Sequence, residues 1–564
     1  MVKKMLVTGL PALFILSIAS GSTIRLNSLG YLPGMPKKAS IIAECSEFTV
    51  RKASDDSIVF TGKATGPVHQ DDVNQDVWIA DFSGINDKGK FYLDVPHVGK
   101  SYEFVIGDNV YDFAYYTAMR GFYLWQCGCA VEGEHNGNKY SHGPCHLDDG
   151  YQDYMGIENN SKRDGTKGWH DAGDYGKYTV NAGITLGCLF MAWDHFQDKL
   201  EGISLDIPDT APGYPDFLKE LKWETDWLFS MQYPDGSGRV SHKLTRLNFS
   251  GFIMPEDDSE KRYFTDWSSA ATADFVAVMA MSARYFKPYD AEYAQKCLDA
   301  ARLSYDFSKK NPKNKGFRQG DFKTGGYQTT DPDDRLWAAA EMWETTGEEQ
   351  YLKDFEAKAS APLDTSKGFN DGVGAGPSEG KVDIEWDWGN VRNLGMFTYV
   401  MSKRQGRDAE LMETIRKDII KAADLIVANT KKDVYNRPLG GTYYWGCNGG
   451  VARQALNLQV ANMISPRREY VEAVSDVVGH LFGRNYYGRS FVTGLGHNPP
   501  MNPHDRRSGA DGIEEPWPGY IVGGSNPGAT AWQDVEGDYR TNEIAINWQA
   551  GLVYALAGFV NSQP

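Results

Sequence analysis

The sequence predicts two architectures in series: a small all-β sandwich over residues 22–108, then an all-α double ring of helices, an (α/α)6 barrel, over 109–564. Three observations lead there. The 564 residues exceed one ordinary domain and suit a large unit joined to a smaller module. Short strand-like runs between turn clusters fill the first part. After Asn109 apolar residues recur at three and four, the period of helices.

Strand runs occur at 38–43, 48–51, 77–81, 89–93 and 102–106. Turn clusters such as Ser54-Asp55-Asp56 and Asn86-Asp87-Lys88-Gly89 separate them, a spacing that reads as a β-sandwich. Helical stretches follow at 110–126, 178–198, 215–231, 268–287, 290–309, 333–346, 348–358, 390–404, 408–429, 452–464, 468–483 and 543–562. Twelve helices in one unit suggest the double ring. Two connections, 127–177 and 484–542, are far longer than most, which argues for function.

Hydrophobic residues at 41% and charged residues at 24% fit a packed protein. The aromatic share is 13%, with 15 Trp and 31 Tyr, so either a large core or a ring-lined groove is expected. Net charge is −17 and no basic stripe is present, which excludes nucleic acid and disfavours polyanions and anionic membranes. A neutral polymer or small molecule fits better. Lys3 and Lys4 precede an apolar run from Met5 to Ile18, with small residues at Ala19, Ser20 and Gly21. This pattern predicts a signal peptide over 1–21 and a secreted or periplasmic protein with no membrane anchor. A monomer is expected.

Three segments carry candidate chemistry. In Trp169-His170-Asp171-Ala172-Gly173-Asp174-Tyr175 two aspartates three apart sit among glycines before a helix, where one carboxylate raises the other's proton affinity. A helix-capping loop is the alternative. In Asn542-Glu543-Ile544-Ala545 the glutamate opens the last predicted helix, so a first-turn glutamate favoured by the helix dipole is the alternative. In Thr493-Gly494-Leu495-Gly496 through Pro503-His504-Asp505-Arg506, donors fixed by prolines suit binding of hydroxyls; a salt-bridged surface loop is the alternative.

Together, and in this order, the three segments resemble glycoside hydrolase family 9, the inverting cellulase family. The resemblance runs from about residue 110 to the end. The start, Arg25-Leu26-Asn27-Ser28-Leu29-Gly30-Tyr31, is similar to the immunoglobulin-like module that precedes the catalytic domain in one branch of the family. Gln549, where the family usually has Asn, and Asp505, where many members have His, depart from the pattern. The resemblance implies an endo-acting β-1,4-glucanase on cellulose or related β-glucans. Asp174 would be the general base, Asp171 the group that orients water, and Glu543 the general acid, with base and acid about 6.5–9.5 Å apart. His504 and Arg506 would grip the sugar. Tyr175, Trp267 and Trp388, with Trp445 and Tyr327, are candidate sugar-binding rings, plain core packing being the alternative.

Cys127, Cys145, His146 and His170 make a Cys2His2 set of the kind structural zinc prefers, and zinc-binding members of the resembled family carry the same four. A Cys127–Cys145 disulfide is the alternative. Calcium is common in the family, and the acidic loops Asp206 to Asp209 and Glu256 to Glu260 are candidate hosts with no ligands assigned, solvated loops being the alternative. An exo-acting member of the family is one rival. A non-catalytic glucan-binding surface protein is another, against which the presence of Asp174 and Glu543 argues.

Overall fold

The computed structural model describes residues 22–157, 160–362 and 380–561. The predicted signal segment lies outside them.

Nine strands open the chain: β1 (Ile24–Arg25), β2 (Lys38–Ile41), β3 (Glu47–Lys52), β4 (Ile58–Lys63), β5 (Thr65–Gln70), β6 (Gln75–Asp81), β7 (Gly89–Val95), β8 (Gly99–Lys100) and β9 (Phe104–Ile106). They form two antiparallel sheets, one ordered β1-β2-β6-β5, the other β4-β3-β7-β8 with β9 also on β7. The period-two pattern explains the layer: Phe48 and Val50 of β3 point inward beside Phe91, Leu93 and Phe104. The sequence reading missed β4 and β5. Both are edge strands without a clean inward–outward alternation: Ile58 is 52% and Val68 43% exposed, while Val59 and Phe60 pack partly buried against the core.

Among the described residues twelve longer helices follow: α1 (Asp112–Leu124), α2 (Thr179–Leu200), α3 (Asp216–Met231), α4 (Ser269–Phe286), α5 (Ala291–Lys310), α6 (Pro332–Thr346), α7 (Glu349–Ser360), α8 (Arg392–Met401), α9 (Ala409–Lys432), α10 (Cys447–Ile464), α11 (Arg468–Leu481) and α12 (Ile546–Ala557). Each corresponds to a predicted stretch. The even-numbered helices pack in succession, and α12 returns to α2, which closes a ring. The odd-numbered helices lie outside it: α1 on α12, α3 on α2 and α4, α5 on α4, α7 on α6, α9 on α10 and α11 on α10. The sequence explains this division. Every residue of α12 is buried, as suits a helix surrounded by others, whereas α9 buries only one stripe.

The segment before α2 contributes the hairpin β10 (Val131–His135) and β11 (Asn138–His142). A small sheet, β12 (Lys177–Tyr178), β13 (Lys243–Thr245) and β14 (Tyr263–Phe264), borders the start of α2. The β layer docks on the helices. Val77 packs with Val434 and Tyr435, Ser40 Oγ donates to the Val434 carbonyl at 2.6 Å, and the Tyr102 ring stacks on His497 at 4.1 Å. No helix among the described residues is long and apolar enough to cross a membrane.

Candidate active site

The two long connections meet at one end of the helix ring. Ala172 pairs with Ala545 in an antiparallel bridge and His504 with Glu543 in a parallel one. The Asp171 carbonyl accepts from Ile546 N at 2.9 Å, and the Gly173 carbonyl accepts from Arg506 N at 3.2 Å and Arg506 Nη1 at 2.7 Å. Gly173 has to be glycine, because a Cβ there would lie 2.0 Å from the His504 carbonyl oxygen. Gly176 is similarly crowded, its Cβ position being 2.7 Å from Asp174 Oδ2.

This stitching places Asp171, Asp174, His504, Arg506 and Glu543 around one cavity of about 530 Å³. Tyr327, Trp388 and Trp445 also line it. Neither alternative for the acids holds. The residue capping α2 is Tyr178, with no side-chain cap, so the aspartates do not cap a helix. Glu543 is not in a helix: it is extended, three residues before α12 begins, which corrects the predicted start at 543. Its backbone is taken up by the His504 bridge and by Gly523 N, which donates to its carbonyl at 2.9 Å.

The carboxyls differ in their surroundings. Asp171 is buried and accepts from Asn181 Nδ2 and Tyr327 Oη, each at 2.7 Å. Burial and then the nearby Asp174 push it up to about 8, while those two donors pull it back. Asp174 Oδ2 accepts from Gly176 N at 2.9 Å and Tyr178 Oη at 3.3 Å. Its Oδ1 has no hydrogen-bond partner among the described residues, leaving one oxygen for the cavity. Glu543 is held well above the usual carboxylate range, first by burial and then by Asp174, with Arg506 opposing. A carboxyl with raised proton affinity and another with a free oxygen thus face the same space.

The predicted sugar-binding residues divide. His504 sits at the wall with Nδ1 2.7 Å from the Glu536 carbonyl. Arg506 is buried, and two of its nitrogens hold the backbone of Gly173 and Ser250, so much of its role is to fix the loop. Trp388 meets Tyr327 edge-on at 5.1 Å in the cavity wall. Two expectations are corrected. Tyr175 is buried away from the cavity lining, its ring 4.8 Å from that of His170, because its hydroxyl donates to the Ile253 carbonyl. Trp267 also lies outside the lining and packs edge-on against Phe307 of α5 at 4.9 Å. Sequence reasoning missed Tyr178, Asp387, Asn547 and Tyr539, which line the cavity. The run Glu385-Trp386-Asp387-Trp388 was a usable signal for Asp387, whose Oδ2 lies 2.7 Å from the buried Arg453.

The residues that depart from the family pattern lie outside the chemistry. Gln549 is buried, donating to the Ala118 and Gly519 carbonyls at 2.7 Å each. Asp505 pairs with Arg507 at 3.1 Å.

With the site in view, the comparisons with known proteins agree. The sequence profile of glycosyl hydrolase family 9 matches residues 111–556. The chain belongs to glycosyl hydrolase family 9. A cellulase N-terminal ig-like domain profile matches residues 19–100 of this family 9 chain. Endoglucanase D of Acetivibrio thermocellus is 57% identical over 96% of the chain and 84% of its own length. The solved structure of a metagenome-derived family 9 endoglucanase superposes with TM-score 0.86 at 31% identity, covering 95% of this chain and 98% of that one. A zinc-binding triple mutant of the family 9 endoglucanase J30 gives TM-score 0.83 at 30% identity, over 94% and 100% of the two chains.

Behind the Asp171 loop lies a second cluster. The ligand atoms of Cys127, Cys145, His146 and His170 all fall within 4.8 Å of one another, and all four residues are buried. Both cysteines are free thiols, so no disulfide joins them. Cys129 stands aside, its thiol donating to Gln126 Oε1 at 3.3 Å. Nε2 of His146 lies 3.4 Å from Asp258 Oδ2, a carboxylate beyond the ring of the kind that orients metal-bound histidines. The acidic loops considered for calcium use protein partners: Asp209 pairs with Lys219 at 2.8 Å, Asp206 accepts from Tyr116 Oη at 2.9 Å, Glu256 accepts from Gly143 N at 3.0 Å, and Glu260 pairs with Arg246 at 2.6 Å.

Proposed function

We propose that the chain is an endo-acting, inverting β-1,4-glucanase working on cellulose or a related β-glucan. The observation that carries this is the pairing, across one cavity, of Asp174 with a free oxygen and the buried Glu543, whose proton affinity burial raises. The free Asp174 oxygen takes a proton from water, which attacks the anomeric carbon. Asp171, fixed by Asn181 and Tyr327, holds that water. Glu543 delivers its proton to the departing glycosidic oxygen, which the raised proton affinity makes ready near neutral pH. Bond breaking and water attack occur on opposite faces, so the anomeric centre inverts. The high identity to an endoglucanase supports the endo mode. The closed succession of inner helices supports an (α/α)6 barrel over 109–564, following an immunoglobulin-like module over 22–108 and a signal peptide that sends the protein out of the cytoplasm.

Zinc suits the cysteine–histidine cluster. Tetrahedral zinc with bonds of about 2.3 Å to sulfur and about 2.0 Å to nitrogen sets ligand atoms about 3.3 Å apart for two nitrogens and about 3.5 Å for sulfur and nitrogen. The corresponding separations are 3.3 Å for His146 Nδ1 to His170 Nε2, 3.5 Å for Cys127 Sγ to His146 Nδ1 and 3.8 Å for Cys145 Sγ to His170 Nε2. The bound ion would pin His170, and with it the adjoining Asp171.

The deciding experiment is hydrolysis of cellopentaose followed by proton NMR. New reducing ends appear first as the α-anomer if the reading is right. First appearance as the β-anomer overturns inversion, and no cleavage of cellopentaose or carboxymethylcellulose overturns the function.

A further inference from the structure

The lip of the cavity carries aromatic surface that the acid–base chemistry leaves unused. Between β13 and β14, residues 246–262 hold two phenylalanines in contact with water: Phe249 is 46% exposed and Phe252 36%. The segment is well fixed. Arg506 Nε donates to the Ser250 carbonyl at 3.1 Å, Tyr175 donates to the Ile253 carbonyl, and Arg246 pairs with Asp258 at 2.8 Å. The Arg506 guanidinium lies 5.5 Å from the centre of the Phe249 ring and 6.0 Å from that of Phe252. A fixed loop that keeps two large apolar rings in water has forgone their burial, which is a mark of a binding surface.

The rings continue the cavity. Phe249 lines it directly. Phe252 meets His504 edge-on at 5.4 Å, Tyr539 lies 6.0 Å from His504, and Trp445 lies 5.4 Å from Tyr539. Successive ring contacts thus join Phe252 through His504 and Tyr539 to Trp445, and Arg506 lies beside both phenylalanines. Rings next to hydrogen-bond donors match a pyranose, which offers an apolar C–H face and a rim of hydroxyls. We infer that Phe249 and Phe252 form an additional glucosyl-binding subsite on this lip and make the enzyme discriminate by chain length. The inference rests on the β-1,4-glucanase reading and adds to it the residues that engage a sugar beyond the cleaved bond.

The test measures kcat/KM on cellotriose, cellotetraose, cellopentaose and cellohexaose for the parent, Phe249→Ala, Phe252→Ala and Phe252→Trp. Loss of a ring–sugar contact should lower the cellohexaose-to-cellotriose ratio about tenfold in each alanine variant, and the tryptophan variant should keep the parent ratio. Ratios equal to the parent's in both alanine variants would overturn the subsite while leaving the glucanase reading intact. A uniform loss at every chain length with a lower melting temperature would assign the rings to packing and overturn it too. A parent that cleaves none of the four oligosaccharides would remove the glucanase reading and this inference with it.

Discussion

On the proposed reading, replacing Glu543 by Gln removes the proton donor and keeps the shape of the cavity. A general acid contributes about 10²–10⁴ in rate, or about 3–5 kcal/mol of barrier. Burial and then Asp174 both favour the protonated form of Glu543, with Arg506 opposing. Glu543→Gln should therefore lose about 10³-fold in kcat on cellopentaose, whose leaving group needs a proton. On dinitrophenyl cellobioside, whose leaving group departs as a stable anion, the loss should stay below about tenfold. The parent's activity should also fall on the alkaline side as Glu543 gives up its proton, and this limb should vanish in the variant on the dinitrophenyl substrate. Stability gives a second sign. The folded chain keeps a proton that the unfolded chain releases above about pH 4.3, so Glu543 costs stability increasingly as pH rises toward its folded value. The variant should gain on the parent in urea midpoint as pH rises above about 5. Equal losses on the two substrates, or a variant that loses ground as pH rises, would refute this assignment of the acid.

Other expectations concern the frame around the site. His170→Ala should release bound zinc, measured by elemental analysis of the purified protein, and lower both melting temperature and kcat, since His170 adjoins Asp171; unchanged melting and activity would sever the link. Gly173→Ala drives a methyl group into the His504 carbonyl and should cost about 1–3 kcal/mol in urea unfolding, with a larger proportional loss of kcat than of substrate affinity. Trp445→Ala should raise KM on cellohexaose about five- to tenfold, whereas Trp267→Ala, packed on Phe307, should lower the melting temperature and leave KM where it was.

Much of this was legible in the sequence, and the reasons are physical. The helices showed because burial imposes a period of three and four, strongest in outer helices such as α11, where one face meets solvent. Strand β4 was silent because its residues are half-exposed on both faces. Asp171, Asp174 and Glu543 could be named because glycines and aromatic residues mark their short segments, and the metal cluster because cysteines are scarce. Tyr175 was misplaced because a ring next to a functional residue in sequence need not share its side of the backbone, and Trp267 because a loop tryptophan can equally pack on a helix, here on Phe307. Tyr175 turns to the cluster behind the loop, while Tyr178, three residues on, reaches Asp174. Asp387 and Tyr539 come to the cavity through the closure of the helix ring, which a linear pattern does not encode.

The paired peptides at Ala172–Ala545 and His504–Glu543 behave as a gauge block. They hold the segments that carry Asp171 and Glu543 together by main-chain dimensions, which vary little from residue to residue. Side chains at the entrance can therefore be exchanged, by selection or by design, to suit different polymers without resetting the spacing of those segments.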